Sequence, residues 1–508
     1  MGDQKYVIAE PRASAMVESL RAVGYSPQTA VADLIDNSIA AGARNVWVRF
    51  WWSGAASHVA IRDDGHGMDA DELTQAMRPG TIGPLEEREP GDLGRFGLGL
   101  KTASFSQCRR LTVGSHRDGE TTDFRRWDLD YVQEVDEWRL LTAPADGSAH
   151  HFEQLDGMEH GTIVLWECLD RVVGDSHVDN INMQNHFTGI VRDVDEHLAM
   201  VFHRFLAGSR PRLRIWFEGG EEPKAVEAWD PFLENHPATF CTPEEAIDFD
   251  GGRLLVRGFV LPHKSKLTAA QHRVAGGPGG WNQRQGFYVY RNERLVVPGS
   301  WLGIGSDRQW VREEHYKLAR IRIDIPNTMD MAWHLDVKKS DARPPAALRE
   351  KLKGLALVVR EDAKRVYASR GGVVGPHKKD TTPERPWKAV QIDEHPAYRI
   401  DRKHPLVGQV KSLMQVGSRP QLEALLRLLE ETVPIERIWI DTAEHDEAHL
   451  APFELADDEE ILKLARYTHQ ALIGVSGCSR EEAMDRLALM EPFARRPELL
   501  AIFEKETK

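Results

Sequence analysis

Hydrophobic residues recur along the segment 30–43 (AVADLIDNSIAAGA) with the period of an amphipathic helix. The segment follows Ser26 and Pro27, an N-cap residue and a residue suited to the first helical turn. Gly42 supplies a stop at the carboxyl end. We therefore predict one capped helix here.

Three polar residues of this helix, Asp33, Asp36 and Asn37, stand at positions i, i+3 and i+4, so they project from one side of it. Ala30 and Leu34 can be buried elsewhere on its surface. A helix with a solvated acidic face explains the stretch as well as a binding site does. The segments that follow decide between the two.

Two strands are predicted after the helix. Residues 45–52 (NVWVRFWW) and 59–61 are rich in β-branched and aromatic residues, and their separation predicts a hairpin. The second strand runs into 63–68 (DDGHGM), where two glycines permit a tight turn close to a ligand or to another backbone. An ordinary turn is the alternative. A short helix over 69–77 follows, capped by Asp69.

A glycine-rich run, GDLGRFGLGLK, occupies residues 91–101 after a charged loop. Such a run can present successive backbone N–H groups to an anion at the start of a helix, and Lys101 adds a positive charge. The spacing matches neither a P-loop nor a dinucleotide fingerprint. The run predicts a phosphate site, with a flexible glycine loop as the alternative.

The remaining pattern predicts an antiparallel sheet backed by helices, a second domain and a mostly helical region. Further strands are expected at 111–115, 124–129 and 162–167, and in the second domain at 213–217, 254–261, 286–290, 318–325 and 335–337. Further helices are expected at 186–206, 344–371, 406–414, 419–431, 457–473 and 479–491. Residues 373–387 are polar and rich in proline, which is typical of a linker.

The net charge of −14 argues against a protein that coats nucleic acid. The exception is the basic stretch 262–295, which contains one acidic residue, Glu293. Contact with a phosphate backbone and an ordinary solvated surface both explain this stretch. Its cations are Lys264, Lys266, Arg273, Arg284, Arg291 and Arg294. From Asp441 onward, sixteen acidic and eight basic residues give a net charge of −8, which suits a protein partner better than DNA.

Targeting and cysteine chemistry offer little. No stretch approaches the length of a membrane span. The four cysteines are far apart, without the spacing of a zinc motif or a disulfide framework. We expect a cytoplasmic protein without membrane contact.

Taken in order, these segments resemble the motifs of the GHKL ATPases, the Bergerat-fold superfamily. VADLIDNSIAAGA resembles the N box, DDGHGM the adenine-binding box, GDLGRFGLGLKTASF the lid, and Gly161-Thr162 the last nucleotide motif. The wording of GRFGLGLKTASF and GTIVLW is most similar to the MORC branch and its bacterial relatives. The resemblance covers roughly residues 10–345.

The resemblance and the pattern together imply an α+β chain: a Bergerat-fold helix/antiparallel-sheet sandwich, an S5-like transducer domain and a mainly helical C-terminal region. The expected divisions are an ATP-binding domain at 1–185, a connecting helix at 186–206, the transducer with its terminal helix at 207–372, a linker at 373–395 and the helical region at 396–508.

The resemblance also implies roles for single residues. Asn37 would hold Mg²⁺, and Asp63 would accept a hydrogen bond from the adenine amino group of ATP, with support from Thr162. Asp33 would be the general base. The other expected ATP contacts are Gly65, Gly67, Met68, Thr81, Gly94, Phe96, Gly97, Gly99, Leu100 and Lys101.

Several positions qualify these roles. The usual base of the family is glutamate, and Asp33 is one methylene shorter, so slow hydrolysis is expected. Ala40 and His66 stand where members carry an aspartate and a basic partner, which predicts that an ion pair between the two boxes is absent. Lys339 would be the transducer lysine that reaches the terminal phosphate, with Lys338 as the alternative, because neighbouring strand residues face opposite sides.

The resemblance implies a Mg²⁺-dependent ATPase that forms a homodimer when ATP binds. Such a clamp would act on DNA or a DNA-processing partner, in a setting such as restriction or antiviral defence. DNA would be contacted through Lys264, Lys266, Arg273 and Arg284, and a protein partner would dock on the acidic tail. The alternative is a chaperone-like or scaffold ATPase. A sensor kinase and a type II topoisomerase are disfavoured, since a phospho-acceptor helix and a cleavage domain are missing from the pattern.

Overall fold

The computed structural model describes residues 11–80, 99–117, 121–220, 222–305, 308–334, 342–368, 386–392, 395–435, 437–438, 453, 455–490, 492–493 and 496–507. They form two compact units, Met1–Val373 and Val374–Lys508. None of the helices in these ranges is long and apolar enough to cross a bilayer.

Seven strands form the first sheet of the larger unit. In chain order they are β1 (Asn45–Trp51), β2 (His58–Asp63), β3 (Arg110–His116), β4 (Asp123–Asp128), β5 (Gly161–Glu167), β6 (Arg214–Glu218) and β7 (Lys224–Ala225). Their spatial order is β4-β3-β5-β2-β1-β6-β7. All neighbours pair antiparallel except β1 and β6, so β2 lies at the centre of the sheet.

Helices accompany this sheet. They are α1 (Ala13–Arg21), α2 (Pro27–Ala40), α3 (Ala70–Met77), α4 (Gly99–Phe105), α5 (Leu129–Val135), α6 (Ile181–Val201) and α7 (His203–Leu206). Apolar residues of α2 such as Val31 and Ile35 share a core with Val46 and Val48 of β1. Both faces of β5 are covered, which explains its unbroken apolar run. The expected helix and antiparallel-sheet architecture is confirmed.

The strand expected at 213–217 shows that the predicted start of the second domain, at residue 207, is wrong. It is β6, and it pairs in parallel with β1 from Asn45↔Arg214 onward, so it belongs to the first sheet and not to the second domain. A pattern of apolar residues identifies a strand but leaves its neighbour undetermined, because partners are chosen by tertiary packing.

A second sheet follows, with the order β12-β11-β13-β10-β8 and with β9 beside β10. Its strands are β8 (Phe240–Cys241), β9 (Glu245–Phe249), β10 (Gly252–Val260), β11 (Gly286–Arg291), β12 (Arg294–Ser300) and β13 (Ala319–Ile325). The helices of this part are α8 (Ala269–Gly276), α9 (Gly280–Gln283) and α10 (Ala346–Ala368). Helix α10 packs so closely that a Cβ at Gly258 would lie 2.3 Å from Val359 Cγ2. Strand β12 was not predicted.

The smaller unit begins with a hairpin of β14 (Trp387–Ile392) and β15 (His395–Ile400). The linker predicted over 373–395 is therefore wrong for 387–392 and for 395, because these residues belong to a paired hairpin. The helices that follow are α11 (Pro405–Leu413), α12 (Arg419–Glu431), α13 (Asp458–Gly474), α14 (Arg480–Ala488) and α15 (Pro497–Thr507).

Candidate functional site

Asp63 ends the central strand β2 and lies under helix α2. Its carboxylate is 7 % exposed. Oδ2 accepts a hydrogen bond from the Ser38 hydroxyl at 2.8 Å, and Oδ1 accepts one from the Gly65 N–H at 2.9 Å. Burial raises the pKa of Asp63 to about 6, although both donors act in the opposite direction. Each oxygen keeps a lone pair for one more donor.

The turn after Asp63 needs glycine for steric reasons. A Cβ at Gly65 would lie 2.7 Å from Ala41 Cβ. Gly67 has φ +68°, and a Cβ there would lie 1.9 Å from the His116 carbonyl oxygen. The two glycines predicted a close approach to a ligand or to another backbone, and the group nearest to Gly67 is backbone.

Asp64, the next residue, has a purely structural role. Oδ1 accepts hydrogen bonds from the backbone N–H groups of Arg44 and Asn45 at 2.7 and 2.8 Å. Its other oxygen accepts one from the Asn45 amide. Of the two adjacent carboxylates, Asp64 fixes the start of β1, and Asp63 remains the candidate for ligand binding.

A buried serine joins the other members of this cluster. Thr162 stands opposite Asp63 in the β2–β5 pair, and its hydroxyl lies 3.0 Å from that of Ser115. The Ser115 oxygen also accepts a hydrogen bond from the Met68 N–H at 2.9 Å. The structure therefore brings Asp63, Met68 and Thr162 close together, and Ser115, which the sequence did not single out, contacts the last two. A hydroxyl at the end of an apolar strand was the available signal.

The two acids of α2 are not solvated. Asp33 and Asp36 are 3 % and 1 % exposed, and they meet Arg294 of β12, which is 2 % exposed. Arg294 Nε lies 2.9 Å from Oδ1 and 2.8 Å from Oδ2 of Asp36, and its Nη2 lies 3.7 Å from Asp33 Oδ1. The Tyr25 hydroxyl donates to Asp33 Oδ2 at 2.9 Å. The acidic face of the helix is thus a buried ionic cluster between the two sheets.

Asn37 is the exposed member of the polar set on α2. Its amide oxygen is a suitable ligand for a hard cation. The described residues contain no group of three or more His, Cys, Asp or Glu that could hold a metal ion. Because Mg²⁺ keeps several waters and commonly binds through substrate phosphates with one or two protein oxygens, a single amide ligand fits it.

The start of α4 lies beside Asp33. A Cβ at Gly99 would be 3.8 Å from Asp33 Oδ2, and Leu100 is half-buried. Lys101 differs from expectation: it is buried, and its Nζ donates to the Ala76 carbonyl at 2.8 Å, near the carboxyl end of α3. Burial lowers its pKa to about 8. In this arrangement the ammonium group contacts the protein interior, where phosphate had been expected.

Several predicted site residues lie outside the described residues. They are Thr81, Gly94, Phe96, Gly97, Lys338 and Lys339. The two box motifs are joined by the Ser38–Asp63 hydrogen bond and by the His66 N–H, which donates to the Ala41 carbonyl at 3.0 Å. Within the described residues, no ion pair joins them.

The cations of the basic stretch differ in exposure, and Arg284 is half-buried. Lys264, Lys266 and Arg273 are exposed, as expected for a surface that binds an anion. Arg291 and Arg294 are buried, Arg291 against Asp330 at 2.8 Å and Arg294 in the cluster above. Those two cannot reach a ligand from the surface, since charge counting along a sequence does not distinguish solvated cations from buried ones.

Comparison with known proteins agrees with this geometry. Residues 25–162 match the family described as Histidine kinase-, DNA gyrase B-, and HSP90-like ATPase. The ATPase morc-1 of Caenorhabditis elegans is 32% identical over 96 residues, which are 19% of this chain and 11% of that protein. The DNA mismatch repair protein MutL of Thermus aquaticus is 36% identical over 64 residues, 13% of this chain and 12% of that protein. MutL of Halobacterium salinarum is 33% identical over 89 residues, which are 18% of this chain and 12% of that protein.

The chain thus spans 11–12% of the length of these three relatives. The matched family consists of ATPases, and the resemblance of this chain to the GHKL superfamily and its MORC branch is confirmed.

Proposed function

We propose that the chain is a Mg²⁺-dependent ATPase that closes as a homodimer on ATP and acts on DNA or on a DNA-processing partner, as in restriction or antiviral defence. The observation that carries the nucleotide part is the Asp63 carboxylate, buried and held by Ser38 and Gly65 with acceptor capacity left over. The adenine amino group is the donor that suits it, whereas guanine carries a carbonyl at that position and would be rejected.

Hydrolysis would use the residues of α2. Asp33 would accept a proton from the attacking water as the bond between the terminal phosphorus and the ADP oxygen breaks. Tyr25 and Arg294 hold this carboxylate in place. Asn37 would bind Mg²⁺, which supplies charge neutralisation at the phosphates. The exposed Lys264, Lys266 and Arg273 would contact DNA.

A second candidate is an ATPase that clamps a protein. Three leucines of α12, namely Leu425, Leu428 and Leu429, are 52%, 59% and 47% exposed. An apolar surface of this kind is typical of a protein-binding helix. The two candidates differ in whether DNA or a polypeptide changes the dimerisation that ATP induces.

The replacement Asp63→Asn tests the nucleotide site. An amide group places two N–H donors where Ser38, Gly65 and the adenine amino group all need acceptors. A lost hydrogen bond to a charged group corresponds to about 1.5–3 kcal/mol, so we expect ATP affinity to fall roughly 10–100-fold. Calorimetric titration with a non-hydrolysable ATP analogue measures the affinity. Light scattering with ATP, with and without DNA, measures dimerisation.

Asp248→Asn is the matched control, because it removes an exposed carboxylate that accepts a hydrogen bond from Arg253. It should bind the analogue like the wild type. Wild-type affinity in Asp63→Asn would refute the nucleotide site. ATP-induced dimers that ignore DNA but respond to a polypeptide would favour the second candidate.

The pH dependence of binding provides a second test. Since the pKa of Asp63 is about 6, protonation below this pH fills an acceptor position, and affinity should fall as pH drops through 6. The Ser38 hydroxyl lowers the pKa of Asp63, so Ser38→Ala should move the midpoint to higher pH. Dissociation constants from pH 5 to 8 for both proteins check this. Titration of the nucleotide itself affects the wild type and Ser38→Ala equally. If the two proteins show the same pH profile of ATP affinity, Asp63 is not the group that titrates.

A further inference from the structure

A pocket of about 420 Å³ lies beside β12, and two arginines contribute to its lining, which includes none of the residues assigned to ATP. Arg284 is half-buried and Arg312 is exposed. The other lining residues that matter are Gln283, Pro298, Gly299 and Ser300. We call it the Arg284–Arg312 pocket.

Hydrogen bonds to the protein hold both guanidinium groups in place, and each group keeps N–H donors that are not used by these bonds. Arg284 donates from Nε to the Pro278 carbonyl and from Nη1 to the Pro298 carbonyl at 3.0 Å. Arg312 donates to the Gln283 side chain and, from Nη2, to the Gly299 carbonyl at 3.1 Å. Among the residues that the structure describes, Arg284 Nη2 and Arg312 Nε have no hydrogen-bond acceptor.

The charge of the pocket is only partly compensated. Within the described ranges neither arginine has a carboxylate oxygen within 4.0 Å, whereas Arg253, Arg257 and Arg322 each pair with at least one. Burial, together with the nearby Arg320 and Arg312, lowers the pKa of Arg284. Glu196 is the acid that acts on Arg284 from α6. A bound anion would relieve this repulsion and occupy the remaining N–H donors.

The structure assigns this pocket to a backbone phosphate of duplex DNA. The inference rests on the proposed function and specifies where DNA is held. A polyanion is favoured over a single small anion because the connection between β10 and β11, which carries Arg284, also carries the exposed Lys264, Lys266 and Arg273. One phosphate could not use all of these cations, but successive phosphates along a duplex can.

The test is the salt dependence of DNA binding by the full chain with a labelled 30-base-pair duplex. Arg312→Ala should weaken binding about 3–10-fold and reduce the magnitude of the slope of log K against log salt by about 1. The charge reversal Arg312→Glu should weaken binding further. Because Arg312 is exposed, both variants are expected to fold, which their urea unfolding curves check.

Arg253→Ala and Arg253→Glu are the matched controls, since they make the same charge changes at an exposed arginine that is paired with Asp248. They should keep the affinity and slope of the wild type. If the Arg312 variants also keep both, the pocket is wrong while the proposed function stands. If the wild type binds ATP but no DNA at low salt, the DNA part of the proposed function fails, and this inference fails with it.

Discussion

The replacement Asp33→Asn is expected to slow ATP hydrolysis by about 100-fold or more, which is the usual effect of removing a general base. ATP affinity should stay within a few-fold of the wild type. The amide oxygen can still accept the hydrogen bond of the Tyr25 hydroxyl. Arg294 keeps its two contacts with Asp36, so the site should keep its shape. Steady-state phosphate release and equilibrium binding of ATP measure the two quantities separately.

Asp36→Asn is the control for that variant. It removes one negative charge from the same helix at the same depth, but its carboxylate bonds to Arg294 and lies one turn away from Asp33. The variant Asp36→Asn should have a lower free energy of unfolding than the wild type, with a smaller effect on the rate of ATP hydrolysis. If Asp33→Asn releases phosphate at the wild-type rate, another group activates the water.

Removal of the Arg294 side chain should have the largest effect on folding. Arg294→Ala leaves Asp33 and Asp36 buried without the guanidinium that faces them. Breaking a buried ion pair by removing one partner generally lowers the free energy of unfolding by about 3–5 kcal/mol. Urea unfolding followed by circular dichroism measures the loss.

Two further variants make that measurement specific. Arg253→Ala breaks an exposed pair and should leave the free energy of unfolding close to that of the wild type. The double variant Arg294→Met with Asp36→Leu should recover a large part of the loss, because apolar side chains of similar volume can replace a buried ion pair. A loss below about 1 kcal/mol for Arg294→Ala would mean that the cluster is better solvated than its burial indicates.

Local sequence was sufficient for the parts of the site that are local in the chain. The period of α2, the glycines after Asp63 and the position of Thr162 on a strand were all predicted, since each depends on neighbouring residues or on steric demands. Gly67 is an example: its positive φ and the nearby His116 carbonyl admit no side chain.

Contacts between distant segments were missed. Arg294 lies 258 residues from Asp36, and along the sequence it looked like one more surface cation. Strand β6 was assigned to the wrong sheet for the same reason. Lys101 follows the glycine run as a phosphate-binding lysine would, but the direction of its side chain depends on α3, which packs beside it. No local pattern encodes these choices.

The Ser38–Asp63 hydrogen bond shows how a departure from a family pattern can be accommodated. Ala40 and His66 removed the basis for an ion pair between the two motifs. In the described residues, the Ser38 hydroxyl donates to the Asp63 carboxylate and the His66 N–H donates to the Ala41 carbonyl. The neutral hydroxyl holds the carboxylate without neutralising it. Asp63 thereby remains available as an acceptor.

The return of β6 to the first sheet has a consequence for where this chain can be divided. The polypeptide leaves that sheet after β5, passes through α6 and α7, and comes back to cover β1 before it enters the second sheet. A fragment that ends at residue 206 would lack this covering strand, and the N–H and C=O groups of β1 that bond to it would form an open edge, a template for aggregation. A fragment that continues through Ala225 keeps β6 and β7 and closes that edge. A piece of the chain that keeps this edge closed is therefore longer than residues 25–162, the range that matches the ATPase family.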